Sequence, residues 1–197
     1  MKPKVYMKKS IWNILQLMVE MSPIETNAIG WSRRLSENNF EIAKVIAADY
    51  KGTDFPGYDA HDLASPTSVV VDPEIKLQQK LKAKQAGFDL NFHFHSHVNM
   101  NVFWSGTDLN LQRNWNGRYL LAIVANKRKE FLIQIIDSFI TGTEILIPEL
   151  VLTGKELYIS KYKEYEDYFK KYYENYSKKE MNYEYYGFQT TNWNIQS

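Results

Sequence analysis

The spacing of apolar residues changes along the first quarter of the chain, and each spacing predicts a different element. Over residues 9–21 apolar side chains recur at three- and four-residue intervals, which predicts an amphipathic helix. Ser22 and Pro23 end this helix, because the residue before a proline is disfavoured in helical conformation. Apolar stretches over residues 24–35 and 40–48 then predict two neighbouring strands joined by a polar turn.

Beyond residue 48 the pattern alternates between strands and helices. Residues 49–66 are irregular, and a loop of this length in a compact domain is often functional. Asp72-Pro73 begins a helix and Gly87 ends it. The further elements predicted are a strand over 67–71, a helix over 73–86, a strand over 90–98, a helix over 105–116 and strands over 118–125, 130–139 and 144–152. This order indicates a mixed α/β domain.

The tail after residue 154 differs from the rest of the chain. Its aromatic residues lie on one face of a predicted helix and are Tyr158, Tyr162, Tyr165, Phe169, Tyr172 and Tyr176. This stripe favours docking onto the main domain, although a helix that binds a partner or a second copy of the chain remains open. We therefore divide the sequence into a domain over residues 1–154 and a Tyr/Lys/Glu-rich helical tail over 155–197.

Composition narrows the function classes. The chain has 197 residues, a net charge of +1 and no cysteine, which excludes disulfides, thiol catalysis and Cys-ligated zinc. The small net charge and the absence of a recognisable nucleic-acid-binding motif argue against a nucleic-acid partner. No apolar stretch suits a signal peptide or a membrane span, so a cytoplasmic protein without a membrane partner is expected.

A short segment that begins on the fourth predicted strand carries candidate metal ligands. His95 and His97 are two residues apart on a strand, so their imidazoles point to the same face and can converge on one ion. Asp108 follows at the start of the next predicted helix and can add a carboxylate oxygen. Three protein ligands are typical of catalytic zinc, whereas structural zinc has four. The set therefore predicts a catalytic Zn²⁺ site, and Glu25, at the start of the second element, is the candidate general base.

The spacing from His95 and His97 to Ser105 and Asp108 resembles the JAMM motif of the MPN+ (JAB-domain) zinc metalloproteases, in a prokaryotic or phage-like form. Upstream, Pro23-Ile24-Glu25-Thr26 before an apolar strand is similar to the glutamate-bearing strand of that family. The resemblance covers about three-quarters of the chain, through residue ~150, and leaves out the tail.

This resemblance implies a curved mixed β-sheet flanked by helices, with zinc held by His95, His97 and Asp108. It also implies that Glu25 activates water as a general acid/base and that Ser105 helps to stabilise the oxyanion of the intermediate. The implied reaction is hydrolysis of a peptide or isopeptide bond, and the implied partner is a protein or peptide substrate, with a ubiquitin-like conjugate as one class.

The sequence departs from the family pattern at two places. Val98 stands where a proline commonly follows the second histidine, and Asn27-Ala28 replaces a frequent glycine pair. These changes affect the expected shape of the loops rather than the ligand set. A non-catalytic MPN scaffold and a metal-dependent amidase for a small substrate remain alternative functions.

Two further histidines have less direct interpretations. His93 shares the face of His95 and His97, and either supports the ligands from outside or packs as a half-buried neighbour; packing is favoured. His61 lies in the irregular loop beside Asp59 and Asp62, where a solvated loop is favoured over a second metal site.

Overall fold

The computed structural model describes residues 2–47, 64–65, 68–69, 73–138 and 144–187. The elements, in chain order, are β1 (Lys4–Lys8), α1 (Lys9–Met21), β2 (Asn27–Ser36), β3 (Asn39–Ala47), β4 (Ala64–Ser65), β5 (Ser68–Val69), α2 (Pro73–Gln85), β6 (Asp89–Ser96), α3 (Gly106–Arg113), β7 (Tyr119–Ala125), β8 (Phe131–Asp137), β9 (Glu144–Leu146), β10 (Glu149–Thr153) and α4 (Ile159–Gly187).

Eight of these strands form one curled mixed sheet in the order β10-β1-β3-β2-β6-β7-β8-β9. β1 runs parallel to β10 and β3, and β6 runs parallel to β7. The other neighbours in this sheet are antiparallel. With helices packed beside the sheet, this confirms the mixed α/β class that the sequence predicts.

The first predicted elements are confirmed closely. The helix predicted over 9–21 is α1, and Ser22 follows it in an extended conformation with ψ of 131°. The two strands predicted next are β2 and β3, joined by a two-residue turn. Gly87 follows α2 with φ of +79°, a conformation that glycine adopts without steric cost.

Two parts of the prediction for the eight-stranded sheet were wrong, and β4, outside that sheet, lies in the segment predicted to be irregular. Strand β1 was not anticipated, although Val5 and Met7 are buried on alternate positions of it. The strand predicted over 144–152 is two strands separated by Ile147 and Pro148, of which β9 pairs with β8 and β10 pairs with β1 at the opposite edge. Proline has no amide hydrogen to donate, so the chain leaves one ladder there before it joins the other.

The two faces of the sheet carry different side chains, and β7 alternates between them. Tyr119, Leu121 and Ile123 belong to the largest apolar cluster, which also contains the buried residues of α1. Leu120 and Ala122 belong to a separate small cluster with Trp104 and Trp115, beside α3. Successive residues of a strand point to opposite faces, so α1 and α3 cover opposite sides of the sheet.

The tail helix α4 packs on the α1 side of the sheet. Tyr165, Phe169 and Tyr173 are buried in the largest cluster, and Tyr162 is partly buried against it. Docking onto the main domain is therefore confirmed for this part of the helix. Tyr173 is buried although it was outside the predicted stripe, and Tyr158, within the stripe, remains 70% exposed.

Other expectations lie partly or wholly outside the described residues. The parts outside the described residues are His61, Asp72, most of loop 49–66, residues 188–197 and the side chains of Tyr172 and Tyr176. Strand β5 falls within the strand predicted over 67–71. The domain boundary at residue 154 stays a prediction. Among the helices that the structure describes, none is both long and apolar enough to cross a membrane.

Candidate metal centre

The candidate centre lies where β6 ends and the following loop turns toward α3. β6 pairs with β2 and β7, so its last residues sit between two strands. The amide of His97 donates to the carbonyl oxygen of Ala125 at 2.9 Å, which continues the β6–β7 ladder by one residue beyond the strand. His95 and His97 therefore keep the alternation of a strand and point to the same face.

Three predicted ligands converge in the structure. The Nε2 atoms of His95 and His97 are 3.2 Å apart, and His95 Nε2 lies 3.3 Å from Asp108 Oδ2. One ligand atom from each residue lies within 4.8 Å of the other two. All three residues are at most 9% exposed. Three buried ligand atoms this close to one another can hold a metal ion.

Asp108 is held by a capping box at the start of α3. Its amide donates to Ser105 Oγ at 3.2 Å, and its Oδ2 accepts from the Ser105 amide at 2.7 Å and from Ser105 Oγ at 2.6 Å. Reciprocal bonds of this kind satisfy amides that a helix start otherwise leaves unpaired. The serine thus occupies the N-cap and also orients the carboxylate.

Hydrogen bonding keeps Asp108 ionised. Burial raises the pKa of Asp108, but hydrogen bonds from His95 and Ser105 outweigh burial and bring that pKa down to about 2. At neutral pH the side chain is therefore a carboxylate, the form that binds a metal ion.

The environment of His97 defines which ring nitrogen carries hydrogen. His97 Nδ1 lies 3.1 Å from the carbonyl oxygen of Asn101, which can only accept a hydrogen bond. Nδ1 is therefore protonated, and in the neutral ring Nε2 keeps its lone pair toward His95 and Asp108. A hydrogen bond of this kind fixes the tautomer of a metal-ligating histidine. His95 Nδ1 is buried and has no hydrogen-bond partner among the described residues.

Glu25 lies two residues before β2, near these residues, because β2 pairs with β6. The amide of Thr26 donates to Ser96 Oγ at 3.0 Å, and the amide of Ser96 donates to the Thr26 carbonyl oxygen at 2.9 Å. These bonds attach the residue after Glu25 to the residue between the two histidines. Burial raises the pKa of Glu25, His97 and His95 lower it, and Asp108 raises it, so the carboxyl senses all three candidate ligands.

Some of the supporting residues were not anticipated from the sequence. Ser96 is fully buried, and Asn101 contributes a backbone carbonyl that no side-chain motif reveals. A serine between two histidines of one strand was the available signal for Ser96, because a polar side chain facing the core must find a partner.

His93 does not belong to the converging set. Its ring centroid is 5.8 Å from that of His95. Burial, followed by the nearby His95, lowers the pKa of His93 to about 3, so its imidazole is neutral at physiological pH. It is half-buried on the face that carries the candidate ligands. This matches the favoured interpretation of a packed neighbour.

The departure at Val98 has a clear structural counterpart. Val98 has φ of +43°, and the amide of Met100 donates to the His97 carbonyl oxygen at 2.7 Å to close a turn. A proline has φ fixed near −65° and could not take this position. The loop after His97 therefore has a shape that a proline at residue 98 would not allow.

Comparison with known proteins gives little further identification. Neither a protein-family model nor a curated protein matches the sequence. Among solved structures, the chain is similar to the solution structure of protein DSY2949 from Desulfitobacterium hafniense, a structural genomics target, with 17% identity and a TM-score of 0.49. The match covers 81% of this chain and 97% of that one. A likeness at this level carries no functional conclusion.

Proposed function

We propose that this protein is a zinc-dependent hydrolase that cleaves a peptide or isopeptide bond, of the JAMM type with an MPN-like fold. The observation that carries the proposal is the convergence of His95, His97 and Asp108, with Glu25 within electrostatic reach of all three. Two imidazole nitrogens and one carboxylate oxygen are a donor set of catalytic zinc sites.

The protonation of the three candidate ligands suits zinc, as does their chemical identity. In its neutral form His97 presents an unprotonated Nε2, because its Nδ1 donates to the Asn101 carbonyl oxygen, and Asp108 is ionised. Two imidazole nitrogens 3.2 Å apart repel each other unless a proton or a cation lies between them. His95 donates such a proton toward Asp108, and a divalent cation held by these residues would replace it and neutralise the buried carboxylate.

Zinc held at this position would act as a Lewis acid and would make water a nucleophile at neutral pH. Glu25 would take the proton of the attacking water and deliver it to the leaving nitrogen. Its raised pKa, caused first by burial, suits this role, since a general base works best when its pKa approaches the working pH.

Ser105 has a more restricted role than the family resemblance alone suggests. Its hydroxyl donates to Asp108 Oδ2 and accepts from the Asp108 amide. In this arrangement Ser105 orients a ligand, and donation to a substrate oxyanion would require its hydroxyl to turn away from Asp108. We propose the positioning of Asp108 as its resting role.

The reaction is tested with the Glu25→Gln variant, because glutamine preserves the size of the side chain but cannot accept a proton. Zinc-loaded wild type and variant would be added to cell lysate, and new protein termini and freed lysine amines would be quantified by mass spectrometry. We expect cleavage with wild type only. On an identified peptide, we expect Glu25→Gln to lower kcat by about 100-fold or more.

Glu20→Gln is the matched control, since Glu20 is an exposed residue of α1 that carries the same functional group. It should cleave like wild type. If Glu25→Gln with zinc confirmed bound is as active as wild type, the proposed mechanism is wrong. If neither wild type nor control produces new termini, but both hydrolyse small acyl-amides, the substrate is a small amide. Without either activity, a non-catalytic scaffold is favoured.

A further inference from the structure

The turn between β7 and β8 reaches across to the loop that follows His97. We call residues 126–130 the hairpin turn and residues 98–101 the ligand loop. The amide of Lys127 in the hairpin turn donates to the Val98 carbonyl oxygen at 2.8 Å. The side-chain nitrogen Nδ2 of Asn126 donates to the Met100 carbonyl oxygen at 2.9 Å. The ligand loop is thus tied to a second element that lies far from it in sequence.

The side chain of Asn126 forms hydrogen bonds both within the hairpin turn and to the ligand loop. Its Oδ1 accepts from the amides of Arg128 at 3.0 Å and Glu130 at 3.1 Å, which shapes the hairpin turn. Its Nδ2 bonds the Met100 carbonyl oxygen and also Glu130 Oε2, at 2.6 Å. Asn126 is 3% exposed, so this amide is buried with both of its ends paired. The carbonyl end would be enough to build the turn, and the nitrogen end additionally holds the ligand loop.

The ligand loop needs such support because its backbone is strained. Val98 is β-branched and has φ of +43°, a conformation that costs on the order of 1–3 kcal/mol for residues other than glycine. Strain of this kind persists only when surrounding contacts impose it. The bonds from Lys127 and Asn126 to the carbonyl oxygens of Val98 and Met100, on either side of Asn99, provide that constraint.

The ligand loop in turn determines which ring nitrogen of His97 carries the hydrogen in the neutral side chain. The Asn101 carbonyl oxygen, one residue beyond the bond from Asn126, is the acceptor for His97 Nδ1. The position of this carbonyl therefore decides that Nδ1 is protonated and that Nε2 faces His95 and Asp108. Arg128 Nη2 donates to Asn101 Oδ1, which adds a third hydrogen bond between the hairpin turn and the ligand loop.

We propose that Asn126 is a positioning residue for the metal centre. By holding the ligand loop, it keeps His97 in the Nδ1-protonated form with Nε2 directed at the metal. This inference rests on the proposed function in one respect, namely that His97 is a metal ligand.

The test uses two variants that differ only at residue 126, where aspartate replaces the amide nitrogen of asparagine with an oxygen and adds a negative charge. In Asn126→Asp/Glu130→Gln, the aspartate keeps Oδ1 for the two turn amides, and the glutamine amide at residue 130 can donate to the new carboxylate oxygen. The bond to the Met100 carbonyl oxygen then lacks a donor, whereas the loss of the Arg128–Glu130 ion pair is shared with the parent variant. The parent Glu130→Gln keeps Asn126 and therefore keeps that bond.

Two readouts separate positioning from a general structural effect. The first is the tautomer of His97 in metal-free protein at pH 8, from long-range ¹H–¹⁵N correlation spectra. We expect the Nδ1-protonated form in Glu130→Gln and a mixture of tautomers in the double variant. The second is the affinity for Zn²⁺ in chelator competition, which we expect to fall by about 10- to 100-fold relative to the parent, as for other residues that orient metal ligands.

An unchanged tautomer together with a zinc affinity within about twofold of the parent would overturn the proposal. If the double variant does not fold, Asn126→Asp alone replaces it, because aspartate also lacks the donor to the Met100 carbonyl oxygen. A single Nδ1-protonated tautomer and a zinc affinity equal to that of wild type in that variant would overturn the proposal. Failure of the proposed function leaves a different result: no hydrolysis by wild type, while the tautomer of His97 still depends on residue 126.

Discussion

Strand β6 presents two different faces, and the contrast between them organises the molecule. Phe92 and Phe94 point into the largest apolar cluster and are at most 2% exposed. His93 and His95 point to the opposite face, where His97 continues the row. One face is closed by apolar packing against α1 and α4, whereas the other is held by hydrogen bonds to loops and to the start of α3.

The two faces of the sheet should contribute differently to stability and to the geometry of the candidate metal site. Apolar burial is non-directional and sums over many contacts, so the α1 side should supply most of the free energy of folding. Hydrogen bonds are directional and position a few atoms closely, so the site side should determine ligand geometry. Substitutions on the two faces should therefore produce different measured effects.

The largest effect on stability is expected from Phe169→Ala. Phe169 is 1% exposed and stacks on Tyr173 with ring centroids 6.3 Å apart. Loss of a buried phenylalanine costs roughly 3–5 kcal/mol in the free energy of unfolding, which denaturant titration would measure. Zinc affinity of the folded variant should stay within about twofold of wild type, since α4 lies on the other side of the sheet. A large loss of zinc affinity would show that the two faces are coupled.

The largest effect on metal binding is expected from His97→Ala. Residues that only support a ligand cost about 10- to 100-fold in affinity, so loss of a ligand itself should cost more than about 100-fold. Isothermal titration with Zn²⁺ would measure it. His93→Ala is the control on the same face, because His93 is outside the converging set, and an equal loss in both variants would contradict the assigned ligands.

A smaller effect is expected from Ser105→Ala in metal-free protein. The variant lacks the N-cap oxygen of α3 and should lose about 0.5–2 kcal/mol of stability, as for other N-cap serines. Thermal unfolding in the presence of a chelator would measure the loss. Ser105→Gly should recover most of it, because glycine is tolerated at N-caps, and equal losses in both variants would point to a role for the hydroxyl beyond capping.

The smallest effect is expected from Tyr158→Ala. Tyr158 immediately precedes α4 and is 70% exposed, so the free energy of unfolding should change by less than about 0.5 kcal/mol. It is the matched control for Phe169→Ala, since both residues belong to the aromatic stripe predicted for the tail. A loss of unfolding free energy comparable to that of Phe169→Ala would mean that the exposed fraction of an aromatic side chain in this stripe does not predict its contribution to stability.

Local spacing accounts for what could be predicted. Helix α1 follows from apolar residues at three- and four-residue intervals, and the shared direction of His95 and His97 follows from the alternation of a strand. Ser105 and Asp108 are three residues apart, the spacing of a capping box. Each of these relations joins residues close in sequence, so the backbone geometry of a single element determines it.

Contacts between distant segments could not be predicted in this way. The sequence alone does not bring Glu25 to His95 and His97, because Thr26 and Ser96 are 70 positions apart and meet only through the pairing of β2 with β6. The crossing of β10 to the far edge of the sheet was missed for the same reason.

By itself, the sequence determined the helical and strand periodicities, the ligand spacing from His95 to Asp108 and the aromatic stripe of the tail. Only the tertiary structure decided that Glu25 lies within electrostatic reach of His95, His97 and Asp108, that Asn126 bonds the loop after His97, and that Tyr173 rather than Tyr158 is buried. The physical reason is that the spacing of residues along the sequence determines which way their side chains point within one element. Strand pairing and packing determine which elements contact each other.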